Sequence, residues 1–170
     1  MKYMEKGGFK HNPLMRLTLS LTLMFLFFFW LTNFAMYFAH MNLNPQSVVA
    51  YYRGSDATFQ VPKTFEGLSE TSHFHLPIMA LVILMLTHLM IFVPVSKPLK
   101  VFVIVLAFAS AFLQEASSWL VRFGHPAWAW LKVFSFVCLQ SVLGFLMLAL
   151  LAYLWFWDRY NWQIKDRPEA

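Results

Sequence analysis

The stretch FHLPIMALVILMLTHLMIFV, from Phe74 to Val93, contains no Asp, Glu, Lys or Arg. A helix needs about 20 apolar residues to cross the hydrocarbon core of a bilayer, and this run supplies them. Lipid offers no partner for a backbone amide, so the run must satisfy its own hydrogen bonds as a helix. Two histidines and a proline interrupt an otherwise apolar run.

The same pattern recurs on either side. No charged residue falls between Arg16 and Arg53, or between Lys132 and Asp158. A further apolar run follows Lys100 and carries one acid, Glu115. The expected fold is all-α, a four-helix transmembrane bundle. Its helices cover about 17–39, 74–93, 101–121 and 128–157, with an outer connector over 41–72. The chain of 170 residues forms a single membrane domain, because the connector is too short to bury a core of its own. Alternating short segments, the mark of a membrane barrel, are missing from the sequence. Leu17 to Ala39 exceeds the length of a secretory h-region and reads as an uncleaved first span.

Only 12% of residues are charged, about half the share usual for a soluble domain. The net charge of +5 does not indicate nucleic-acid binding, because no basic patch is interleaved with exposed aromatics. The positive charges instead orient the chain. Four Lys or Arg precede the first span, Lys97 and Lys100 lie between the second and third, and three follow the fourth. The other two connectors hold Arg53, Lys63, Arg122 and Lys132. The richer side faces the cytoplasm, so both termini are expected inside. The expected location is a bacterial inner membrane, multi-pass. The single cysteine, Cys138, cannot form an internal disulfide and reads as a packing residue.

Within the connector, Asn44-Pro45 has the form of a capped helix start, and a short interfacial helix is expected from Pro45 to Tyr52. Gly54-Ser55-Asp56 reads as a turn. A second helical turn is expected near Thr64, leading into the second span.

Polar residues at membrane depth are rare and usually functional. Four histidines, His40, His73, His75 and His125, are expected near the outer face, with Glu66 and Glu70 approaching them. His73 and His88 are separated by fifteen residues. They therefore share one helix face within about 60° and lie about 22 Å apart along it. Glu115 lies about 10 Å inside the outer end of the third span. A carboxylate there must be paired, protonated or wet. It is a candidate acceptor for the ring N–H of an outer histidine, and Glu70 is a candidate for the same role. Three outer imidazoles would also suffice for a copper or zinc ion. No phosphate loop, nucleophile constellation or broken transporter helix is present in the sequence.

The pattern His73-Phe74-His75 followed by His88, together with size and topology, resembles the small four-helix cytochrome b type membrane subunits. That resemblance implies bis-histidine haem b and electron transfer. Its ligands would come from His40, His73, His75 and His125 at the outer face. His88 would serve an inner haem, but neither of the last two spans carries a histidine to face it. The outer pairing stays open among these residues. The leading expectation is therefore an electron-transfer membrane subunit binding haem b near the outer face. Its partners would be lipid, membrane or periplasmic redox subunits, and quinone. A cofactor-free structural or assembly subunit, and a copper- or zinc-binding membrane protein, are the alternatives.

Overall fold

The computed structural model of the chain describes residues 12–156. Lys2, Lys6 and Lys10, and the charges from Asp158 onward, lie outside that range, as does Trp157, the expected end of the fourth span.

Helix α1 spans Pro13–His40. Its start follows from Asn12, whose side chain accepts from the Leu14 and Met15 amides at 3.0 and 3.3 Å. Pro13 loses nothing there, since the first helical N–H has no partner within the helix. The same Asn-Pro device opens α2, Pro45–Arg53, where Asn44 accepts from the Gln46 amide at 2.9 Å. Gly54 then ends α2 with φ 85°, and a Cβ there would lie 2.8 Å from both the Gln60 carbonyl oxygen and the Pro62 ring. Only glycine meets both demands. Ser55 and Gln60 exchange backbone hydrogen bonds across a short 3₁₀ turn, Asp56–Thr58.

Helix α3 spans Phe65–Met90 and is capped by Thr64, which accepts from the Gly67 amide at 3.1 Å. The expected interfacial turn and the second span are thus one helix of 26 residues. Pro77 lies inside it and brings no N–H, so the carbonyl of His73 has no proline amide to accept from. Helix α4 spans Lys97–Phe123, a 3₁₀ turn covers Pro126–Trp128, and α5 spans Ala129–Trp155. Four helices are long and apolar enough to cross a membrane: α1, α3, α4, and α5 with its preceding turn. Among the described residues the backbone is all-helical, with one isolated bridge between Ser55 and Gln60 and no strand.

The centre of the bundle is α5. Half of its most apolar window is buried, against 6% for α1, so α1 is the most lipid-exposed span. One core layer joins α3, α4 and α5 through Ile83, Leu86, Ala107, Leu146 and Leu150. Gly144 lets the Trp30 indole approach α5, where its N–H donates to the Gln140 carbonyl at 3.0 Å. A second layer lies at the connector end, where Tyr37 stacks on Phe136 at 3.7 Å and Val48, Tyr52 and Val121 are buried. This layer seats α2 on α4 and α5. Arg53 fastens it by donating to the Val121 and Gly124 carbonyls at 2.9 and 2.6 Å. Arg122 reaches back to the Lys63 carbonyl at 2.5 Å.

Candidate functional site

Beneath α2 the apolar core gives way to polar groups. Gln114, Glu115, Ser117 and Ser118 lie within little more than one turn of α4. Lys132, in the first turn of α5, points among them and is only 5% exposed. Its ammonium donates to the Gln114 carbonyl at 2.7 Å and to Ser118 Oγ at 2.8 Å. Tyr52 OH and Ser118 Oγ share a hydrogen bond at 3.1 Å, and the Lys132 Nζ lies 5.7 Å from the Tyr52 ring centroid. Burial pushes the Tyr52 hydroxyl up to about 12, despite the hydrogen bond shared with Ser118, so the ring stays neutral. The charge pattern places Lys132 in an outer connector. The structure instead buries it inside the bundle, where carbonyl and hydroxyl oxygens replace its water.

Glu115 is also buried, at 7% exposure. Ser72 of α3 donates its hydroxyl to Glu115 Oε1, and the Trp119 indole donates to Ser72 Oγ at 2.9 Å. On its other oxygen the carboxylate faces His75 Nδ1 at 3.6 Å. Ser72 and His75 stand on nearby turns of α3, so a single helix brings both groups to the acid. The wet or paired environment expected for Glu115 is therefore present. Its hydroxyl partner is Ser72, contributed by the neighbouring helix α3.

These groups line a cavity of about 410 Å³. Lys132, Ser118, Tyr52, Glu115 and His75 are polar and titratable side chains from α2, α3, α4 and α5 in its lining. Val61, Pro62, Lys63 and Thr71 also lie in its wall, and Val61, Pro62, Thr71 and His75 are all exposed. Lys63 Nζ lies 4.3 Å above the Tyr51 ring.

The histidines take separate places. His75 alone lines this cavity. His40 stacks on Tyr51 at 5.2 Å and lines a smaller cavity of about 180 Å³. His73 lies beside Phe74 on the exposed side of α3. His125 caps the 3₁₀ turn, its Nδ1 accepting from the Ala127 amide at 3.1 Å. His88 is exposed beside Phe92, at the opposite end of α3. Glu70 is exposed and lines neither cavity. Haem b held by two histidines needs opposed imidazoles across one iron. Neither cavity is lined by two histidines, so neither presents that pair. Among the described residues no three His, Cys, Asp or Glu side chains are grouped to hold a metal ion.

Four helices long and apolar enough to cross a bilayer define an integral, multi-pass membrane protein, whose helices contact lipid. Residues 42–161 match the family described as a transmembrane helical domain, and the chain belongs to that family. No curated protein and no solved structure matches it.

Proposed function

We propose that this chain is a membrane subunit that holds the polar head of a lipid-soluble amphiphile near the outer face of the bilayer. The observation that carries this reading is the cavity itself. A buried ammonium and a buried carboxylate are kept around about 410 Å³ of open space, at a cost that a packed apolar core would avoid. The volume lies within the usual range for small-molecule sites, about 300–1,000 Å³. Glu115 lies eight residues before the end of α4, about 12 Å below it, a depth that a ligand reaches from lipid. Apolar Val61 and Pro62 at the rim suit a tail leaving toward the acyl chains. Electron transfer, expected from the histidine pattern, would then depend on what the site binds. The cavity gives haem b no paired imidazoles.

The test is extraction. The protein is purified in mild detergent and its lipids are quantified by mass spectrometry. Wild type should retain one amphiphile class in near-equimolar amount. Val61→Tyr, which narrows the mouth from an exposed position, and Lys132→Met should lose it without loss of helicity. Equal retention by all three proteins would refute the reading and favour a scaffold subunit.

A further inference from the structure

Resting on that reading, we propose that the head group is a phosphomonoester, a phosphate joined to its apolar tail through one oxygen. The charge of the cavity lining carries the argument. Two lysines, Lys63 and Lys132, stand in it against one carboxylate, Glu115. That carboxylate is already met from α3: Ser72 donates to Oε1, and His75 Nδ1 lies 3.6 Å from Oε2. A proton taken up by His75 cancels the acid and leaves both ammonium groups without a counter-ion in the lining. A phosphomonoester carries about −1.5 to −2 charges at pH 7, which matches two lysines. A carboxylate head would leave one of them unmatched, and a zwitterionic head would bring a further cation.

The donors in the lining suit a group that only accepts. Lys132 spends two of its three protons on Gln114 and Ser118 and keeps one. Lys63 Nζ lies over the Tyr51 ring, a contact that leaves its charge intact. Among the described residues no carboxylate pairs with Lys63. Thr64, also in the lining, accepts from the Gly67 amide through its hydroxyl oxygen, so its own O–H is left to donate. Terminal phosphate oxygens take charge-assisted bonds from such donors. The start of α3 lines the same space through Thr64, Gly67 and Leu68 and adds the positive end of a 26-residue helix, while Glu66 of that turn does not line it.

The purified full chain in mild detergent is titrated with lysophosphatidic acid, and bound lipid is counted by native mass spectrometry. Lysophosphatidylcholine and a fatty acid of the same tail length are compared, and inorganic phosphate is the competitor. One lysophosphatidic acid should bind saturably, at least tenfold tighter than either comparator. Lys63→Gln, at a half-buried position in the wall, should weaken it by about tenfold or more through loss of a charge-assisted bond, and Lys63→Arg should keep most of the affinity. Inorganic phosphate should displace the lipid only at far higher concentration. Equal binding of either comparator, or unchanged affinity in Lys63→Gln, would overturn the phosphate head; an amphiphile retained on extraction would still leave the amphiphile site standing. Displacement by inorganic phosphate mole for mole would keep the phosphate site and overturn the lipid-soluble ligand. If no probe binds and extraction finds no retained amphiphile, both readings fall.

Discussion

Replacing Arg53 by alanine should loosen α2 and open the wall that carries Tyr51 and Tyr52. Arg53 makes two hydrogen bonds to carbonyls at the end of α4, Nε to Val121 and Nη2 to Gly124. Bonds from a charged donor contribute about 1.5–3 kcal/mol each when buried. These oxygens lie at the bundle end, where water partly replaces a lost donor, so about 1 kcal/mol per bond is the fitting figure. A cation at a helix C-terminus contributes a further ~0.3–1 kcal/mol. The expected loss is therefore about 2–3 kcal/mol. Arg53→Lys keeps the charge but not the two-pronged geometry, so it should recover the dipole contribution and at most one bond, losing about 1 kcal/mol. Unfolding free energy is read from helical circular dichroism during denaturing-detergent titration. The order wild type, lysine, alanine is expected, with bound amphiphile falling in the same order. Wild-type stability in Arg53→Ala would show that α2 is held by apolar packing alone, and a lysine variant as unstable as alanine would refute the contribution assigned to the charge at the end of α4.

Four further outcomes follow from the same geometry. Tyr52 ionises near 10 when unfolded but only near 12 in the fold, so its contribution is complete below pH 10 and lost as pH rises toward 12. Stability measured across that window should fall by about 2–3 kcal/mol, and Tyr52→Phe should flatten the fall. Gly144→Val should cost about 1–3 kcal/mol by overpacking, because even a Cβ there would lie 3.3 Å from the Trp30 ring; Gly144→Ala should cost less, and thermal melts compare the two. A reduced-minus-oxidised optical spectrum should show no b-type haem bands. In extraction assays His75→Ala alone among His40, His73, His75, His88 and His125 alanine variants should lower retained amphiphile.

The spans were legible because lipid imposes a single rule on composition, and a run such as Phe74–Val93 obeys it without help from distant residues. Asn44-Pro45 and Thr64 were legible for a local reason: a cap needs only its own turn. The site was legible only in part. Glu115 stood out because a lone acid in an apolar run is conspicuous. Lys132 did not, because it sits at the end of a run, where a cation ordinarily anchors to the interface. What buries it is the α2 layer above, and Tyr52 and Ser118 meet 66 residues apart in sequence. Spacing could relate histidines along one helix, but not decide which way they face across several. His75 turned toward Glu115 while His73, two residues away, did not.

Pro77 gives α3 a joint two residues beyond His75. The turns before it carry Gly67, Leu68, Thr71 and His75 into the cavity wall, while the turns after it carry Ile83, Leu86 and Met90 into the apolar core. With one rung missing from the ladder at the boundary, the upper arm can tilt while the lower arm stays anchored. Any bending of α3 is therefore easiest at this boundary, so a shift of the cavity wall need not unpack the helices beneath it.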